Sequence, residues 1–485
     1  MGTHQNSVAR SGEATLQKVL ERPHSLDKQA LGFWSLLFQS ISHISPIGAM
    51  IANMTAIAAY AGALLPLTFV FAAFAFLFLL SVVVQFSRRV TSAGGMYGYV
   101  KAGLGDRWGC RAGWLMVLTY WMVVNFSLIF MAGVLIPQTL AYFFHLTVPS
   151  WLWIPLVALE ASLIWGMAYS GIRTSLQYSL VTMAVGIIVM ATAAIGIIAH
   201  SKTSSNLATF VNLMSLSGSK VSGIGVGIIF AMLSLGGASS AIYLSEETPT
   251  PKRTVTRAVI WSFGICLALF LLSAYALTVG WGPAAMSSFA KANIPGVELT
   301  RRAMGGPLAD ALVFFAFNAS FAGTLAPANA VARIVFAMAR DRVIFPASLA
   351  EVHPVHRTPS RGIITMGVVG TVTAVGVGLI FGPFTGFAVL AISATVAHFV
   401  SHILVNVSLP AYTAKSGSLS VVKHVLPAVV GSGLILFAFY LVMFPIHFPV
   451  ILGPVVVATW WIVGEWRYRS TKSLRRPLSV PEVSV

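Results

Sequence analysis

Acidic side chains are scarce in this chain: thirteen Asp and Glu in 485 residues, beside thirty Lys and Arg. Charged residues of both signs make up only 9% of the sequence, while 57% is hydrophobic. So little charge cannot cover the surface of a soluble protein of this length, which points to an integral membrane protein. Cysteine is rarer still. Cys110 and Cys266 are the two in the chain, in or beside apolar stretches, so neither a disulfide framework nor a thiolate metal site is expected. The first 28 residues lack the apolar core of a cleavable signal and read as a cytoplasmic tail, amphipathic through Val19, Leu20 and Leu26. An H-E-x-x-H helix, a nucleophile–base pair and a metal-ligand set are all missing, which argues against an intramembrane enzyme. No metal and no cofactor is expected.

What the sequence does have is apolar runs of about 20 residues from end to end, the mark of spanning helices rather than of a β-barrel. An all-α fold with twelve spans is expected, at 33–60, 64–86, 113–143, 151–169, 175–199, 223–245, 256–280, 308–338, 362–381, 384–408, 425–444 and 447–466. Basic residues fall mostly in the two tails and the even-numbered joints. Lys202, Lys220, Lys291, Arg301 and Arg302 are the exceptions. The positive-inside rule then puts both termini in the cytoplasm of a multi-pass cell-membrane protein. It also accounts for the net charge of +17 without a nucleic-acid partner.

Two spans are interrupted by residues that a plain spanning helix avoids. The sixth carries Ser234, Gly236, Gly237, Ser239 and Ser240 where Leu, Ile or Val would be ordinary. The first carries Ser42, His43, Ser45, Pro46 and Gly48. Pro46 removes a backbone donor, and Gly48 is expected to permit the bend. A Gly/Ser-rich face packed on a neighbouring helix is the alternative for the sixth span. A helix breaks at membrane depth only where its freed N–H and C=O groups meet protein or a watery cavity. Two such breaks five positions apart suggest an inverted five-plus-five repeat with a site at the midplane. N–H groups at one break favour an anion, and carbonyls at the other accept from an ammonium. An α-amino acid carries both groups.

Longer motifs carry a family resemblance. SAGGMYGYVKAGLG (92–105), SLGGASSAIYLSEETPTPKRTVTRAV (234–259) and NAVARIVFAMARDRVIFPASLAEVHPVHRTP (329–359), with the weaker SGIRTSLQ (170–177), resemble the amino acid–polyamine–organocation superfamily of secondary transporters. The resemblance implies a leucine-transporter-type fold with broken helices one and six around a central site, and alternating access. It implies a ten-helix core at 31–408, with repeats about 31–200 and 220–408, then two helices in 409–466, between tails at 1–30 and 467–485. By position, the carboxylate site would fall on the N–H groups of Ile47, Gly48 and Ala49, with Ser45 nearby. The amine would meet carbonyls near His43, Ile44, Leu233, Ser234 and Leu235. Three departures stand out. Gly237-Ala238-Ser239 replaces a common G-F-E, Leu233 replaces an aromatic gate with Phe230 a turn earlier, and Gly186 stands where some relatives carry a lysine.

Glu160 is the one carboxylate deep in a span, which suggests an ion or proton path or a structural hydrogen bond. His43, at the first break, is a second coupling candidate or a neutral donor to the unwound backbone. Ser320, with Asn318 and Thr324, stands where Na⁺-coupled relatives bind the ion, though Na⁺ is less favoured than H⁺. His398 and His402, one turn apart, lack a third ligand and read as packed histidines. Glu246, Glu247, Arg253, Arg257 and Arg340 form a charge cluster below the sixth span, either a solvated run or a cytoplasmic gate. The expected function is transport of a neutral amino acid, by proton symport or exchange. A polyamine carrier of the same superfamily and a non-transporting sensor or accessory subunit are the alternatives.

Overall fold

A computed structural model describes residues 26–27, 30–201, 221–444 and 448–471. Most of the two expected tails, and the joint that holds Lys202 and Lys220, lie outside these. Every regular element among the described residues is helical. In chain order they are α1 (Phe33–Ile44), α2 (Met54–Ala61), α3 (Leu65–Ser87), α4 (Met96–Leu104), α5 (Asp106–Phe130) and α6 (Ile136–Phe144). Then follow α7 (Trp153–Tyr169), α8 (Ile172–Ala199), α9 (Val221–Leu235), α10 (Pro251–Trp281) and α11 (Pro295–Met304). The last are α12 (Gly306–Arg340), α13 (Ser360–Phe381), α14 (Pro383–Lys415), α15 (Leu426–Met443) and α16 (Leu452–Ser470).

Nine helical stretches among the described residues are long and apolar enough to cross a membrane. Three more pieces of the expected twelve fall short of that test: α1 stops at a break, α7 has 17 residues, and α16 ends in Glu465, Arg467 and Arg469. Exposed Val, Leu, Ile and Phe side chains, such as Ile188, Val372, Phe384, Val429 and Ile462, face outward from the bundle. Lipid can solvate such a surface and water cannot.

Inside, small residues let the helices approach closely. A Cβ at Gly113 of α5 would lie 2.8 Å from the Met338 sulfur of α12. The tightest partnership joins α14 to α5, and α16 is clipped to the same α5 by two tryptophans. Trp114 and Trp460 stack at 4.1 Å. Each indole N–H donates to the other residue's carbonyl, at 2.7 and 2.8 Å. Two short helices outside the expected spans, α4 and α11, pack against the bundle at its ends: α4 on α5 and α14, α11 on α12 and α8.

Candidate functional site

The chain leaves helical geometry at Ser45, directly after α1. Its φ of 51° and ψ of 63° are left-handed, and its N–H donates to the Ile41 carbonyl at 2.9 Å to cap α1. The cause is Pro46, whose ring disfavours helical dihedrals in the residue before it and whose own fixed φ suits a fresh helix start. Gly48 therefore does not provide the bend, as its sequence suggested; it is ordinarily helical, with φ −59° and ψ −37°. Its missing side chain instead leaves room for Ser45, since a Cβ there would lie 2.9 Å from the Ser45 Oγ and 3.8 Å from the Ser320 Oγ. After Pro46–Gly48 the chain makes one π-helical turn, Ala49–Asn53, before α2.

The stretch that begins as α9 changes character at Gly236. It is α-helical to Leu235 and then 3₁₀ for 12 residues, Gly236–Glu247. Such a length is unusual, because 3₁₀ geometry is poorer and seldom persists beyond a single turn. Gln39 and Ser40 of α1 support it. Ala241 donates its N–H to the Ser40 Oγ at 3.0 Å, and the Gln39 amide donates to the Ser240 Oγ at 3.1 Å and to the Ala326 carbonyl at 2.9 Å. Gly237 is the point of closest approach. A Cβ there would lie 2.7 Å from both the His43 carbonyl carbon and the Ile44 nitrogen.

The two irregular stretches are thus in contact, with the His43–Ile44 peptide against Gly237. Ile47 and Gly48 lie in the first turn of a restarted helix, where N–H groups have no partner within that helix. Ala49 does not join them as expected; its N–H already donates to the Ser45 carbonyl at 3.0 Å. The Ser45 hydroxyl donates to the Ala319 carbonyl at 3.3 Å, which ties the break to α12. The Asn53 amide hydrogen-bonds the Ser234 hydroxyl across the two spans, and that hydroxyl donates to the Phe230 carbonyl at 2.7 Å. Phe230 stacks on Tyr60 at 5.8 Å. Leu233 turns instead to a small cavity between α3 and α14.

The His43 ring packs on Tyr120 of α5 at 5.2 Å, and Tyr120 meets Tyr243 of the 3₁₀ stretch edge-on at 5.0 Å. Ser320 faces the break, whereas the Asn318 amide is engaged by Tyr178 and Phe314 and Thr324 bonds back to its own helix. Glu160 is buried on α7, which packs against α13 and α12 rather than on α1 or the 3₁₀ stretch. The structure does not bring it to the break.

At the Glu247 end of the 3₁₀ stretch, the charge cluster resolves into pairs. Arg340 donates through both terminal nitrogens to Glu246, at 2.7 and 2.8 Å, and Glu246 also accepts from the Ala93 N–H at 2.8 Å. Next to it, Asp341 accepts from Lys101 and from the Tyr97 hydroxyl, each at 2.6 Å. Burial, then the Asp341 carboxylate, raises the Tyr97 phenol well above its ordinary value, so it stays a donor. Glu247 pairs with neither Arg253 nor Arg257, which are exposed. Its partner is Arg333 of α12, whose fork of N–H groups reaches both carboxylate oxygens, with Nη1 donating to the Asn329 carbonyl at 2.9 Å. Both side chains are buried, at 0% and 1% exposure. Only a planar guanidinium satisfies a buried carboxylate in two places at once. Arg333 stands alone in the apolar run NAVARIVFAMA, and a lone charge in such a run was the signal for it.

The amino acid permease family model matches residues 31–464. Among individual proteins, the chain is 28% identical over 288 residues to an uncharacterized transporter of Mycobacterium tuberculosis, covering 59% of this chain and 60% of that one. It is 24% identical to the branched-chain amino acid permease BcaP of Bacillus subtilis, over 73% of each chain. It is 25% identical to the low-affinity putrescine importer PlaP of Escherichia coli, over 63% of this chain and 65% of that one. In three dimensions it superimposes on MhsT, solved in complex with L-phenylalanine, with a TM-score of 0.59 at 16% identity, covering 86% of this chain and 99% of the other. That likeness is one of fold. With the family model spanning nearly all of the helical bundle, this multi-pass membrane protein belongs to the amino acid permease family.

Proposed function

We propose that the chain is a secondary active transporter that takes up or exchanges a neutral amino acid, coupled to protons, by alternating access. The contact between the Ser45 break and the Gly236–Glu247 3₁₀ stretch carries this reading. The Ile47–Gly48 turn offers N–H donors to a carboxylate, and the carbonyl ends of α1 and α9 offer acceptors to an α-ammonium. The architecture that goes with it has twelve spans. Ten form a five-plus-five inverted repeat of the leucine-transporter type at 31–408, two follow in 409–466, and both termini are cytoplasmic.

Residues 42–53 and 233–240 hold no Asp, Glu, Lys or Arg. A diamine's second ammonium would want a carboxylate there, so a neutral amino acid is favoured over a polyamine. The branched-chain permease BcaP and the phenylalanine-bound MhsT fit that choice, and the putrescine importer PlaP is the competing precedent. The test is uptake of a ¹⁴C-labelled amino acid mixture by proteoliposomes, with and without an inwardly directed proton gradient, then with Na⁺, then with unlabelled amino acids inside. The expected result is gradient-stimulated uptake that putrescine does not inhibit. Inhibition by putrescine but by no amino acid would replace this reading with the polyamine one. An absence of uptake in every condition, despite amino acid binding, would make the chain a sensor.

In this reading Glu246–Arg340 and its neighbours hold the cytoplasmic side closed. The pair is partly exposed, at 22% and 37%, so solvent screening limits it to about 0.5–1 kcal/mol. Arg340→Gln should therefore raise the inward-open share only about two- to fivefold. The rate at which a membrane-impermeant maleimide applied from the cytoplasm alkylates a Ser42→Cys protein would register that rise. An unchanged rate would remove the pair from the gate.

A further inference from the structure

Behind the 3₁₀ stretch, and away from the Ile47–Gly48 turn, α14 carries two histidines that the transport reading leaves unused. His402 is buried, at 1% exposure, and neither of its ring nitrogens has a hydrogen-bond partner. His398, one turn earlier, meets it ring to ring at 4.4 Å. Both rings line a small cavity with Phe76 and Leu79 of α3, Met232 and Leu233 of α9, and Phe399. A neutral imidazole has one donor and one acceptor. Burying both without partners is costly, and native proteins seldom do so without a water, an ion or a function. The cavity has room for roughly one water.

The pair also touches the substrate machinery. A Cβ on Gly236, where α9 turns into the 3₁₀ stretch, would lie 3.4 Å from the His398 Nε2. The next residue, Gly237, rests on the His43–Ile44 peptide. The titratable groups around the pair are few. His43 lies close enough to interact electrostatically with His398, and Tyr120 of α5 packs on His43 from behind. The cavity walls from α3 and α9 are apolar, and no charged residue of α4, α13, α15 or α16 acts on either ring among the described residues. The three histidines do not assemble into a metal-holding group among those residues either.

We infer that the His398–His402 pair is the binding site of the coupling proton. The inference rests on the proton-coupled reading above and places the proton on α14 rather than on Glu160. A solvated imidazole changes charge near neutral pH, so the pair takes its proton while the cavity stands open to water. A proton on this pair puts a positive charge beside Gly236, whose neighbour Gly237 rests on the His43–Ile44 peptide, so protonation biases α9 toward the packing on α1 that also holds substrate. Proton and substrate then favour each other's binding, and the coupling is reciprocal. The pair belongs to α14 while its cavity is closed by α3 and α9, so movement of α9 against α14 during the cycle opens or shuts the proton's route.

The experiment uses the full chain in proteoliposomes and compares His398→Gln and His402→Gln with the unmodified protein. The probe is the ¹⁴C-labelled amino acid mixture. The unmodified protein should show gradient-stimulated uptake. Each variant should lose that stimulation, by about tenfold or more, while retaining exchange of labelled for unlabelled amino acid at equal pH. Stimulation that survives in both variants overturns the proton site and leaves the coupled reading intact. Loss of exchange along with stimulation, in monodisperse protein, also overturns it and makes the pair part of the substrate pocket. Transport by the unmodified protein that ignores the pH gradient defeats the coupled reading itself. A measurement on unmodified protein guards against misfolded variants: in weakly buffered detergent solution, adding the amino acid mixture should draw protons from solution, read with a pH dye. No uptake of protons would count against the pair.

Discussion

Gly237→Ala should weaken substrate binding by about 5- to 150-fold while the protein still reaches the membrane and purifies as a single species. The new methyl would lie 2.7 Å from the His43 carbonyl carbon and the Ile44 nitrogen. Those are backbone atoms of α1's last turn, and no rotamer change moves them aside. Either the end of α1 or the 3₁₀ stretch must retreat, and overpacking of this kind typically costs about 1–3 kcal/mol. The strain falls on the one arrangement in which the two irregular stretches touch. Arrangements in which they separate are spared, so the binding-competent share drops by the stated factor. Gly236 offers the contrast, since its added Cβ would make only an ordinary 3.4 Å contact with His398. Gly433 of α15, with nothing within 4 Å, serves as the control for a tolerated Gly→Ala change in a spanning helix. Binding of the labelled mixture by scintillation proximity would give the apparent affinities. A Gly237→Ala protein that binds like the Gly433→Ala one would show that the contact is dispensable.

Much of this architecture could be read from the sequence because hydropathy is a local property. A run such as LPLTFVFAAFAFLFLLSVVV reports its own membrane depth, and it forms most of α3. The position of the first break was legible for the same reason, since Ser-Pro is a two-residue signal. Which residue bends was harder. Glycine is the usual suspect, yet the proline acts on its predecessor and the left-handed residue is Ser45. The Glu246–Arg340 region was legible as a charge cluster but not as a set of pairs. Glu247 and Arg333 are 86 positions apart, and only the way α12 lies against the 3₁₀ stretch makes Arg333 the partner instead of the nearer Arg253. Glu160 was legible only as a buried carboxylate, which announces cost, and cost is shared by functional and structural sites; the packing of α7 on α13 and α12 sets it apart from the break. The supports that hold the two irregular stretches, Gln39, Ser40, Asn53 and Tyr120, are ordinary polar residues with no sequence signature of their own. Their role is set by what they face.

Arg333→Met should destabilise the protein by about 3–5 kcal/mol, because it strands the Glu247 carboxylate in a buried site. The cost lies in the leftover charge more than in the lost bond. Glu247→Gln is milder, since a neutral amide still accepts from the guanidinium and the Asn329 carbonyl still holds Nη1. Removing both charges, in Glu247→Leu with Arg333→Met, should recover most of the loss, because two apolar side chains of similar volume need no partners. Thermal unfolding of the detergent-solubilised proteins, followed by size-exclusion fluorescence, would rank the four. An Arg333→Met protein as stable as the parent would mean that water reaches Glu247 and that the pair is not sealed. The double variant then separates structure from mechanism. Glu247 ends the 3₁₀ stretch and its carbonyl accepts from the Leu31 N–H at 3.1 Å, so the pair joins the segment before α1 to the end of the 3₁₀ stretch and to α12. If those elements stay together through the cycle, a stabilised double variant transports at the parent's rate. If the pair parts whenever the cytoplasmic side opens, an apolar replacement no longer re-forms with the same directionality, and transport slows although stability has returned.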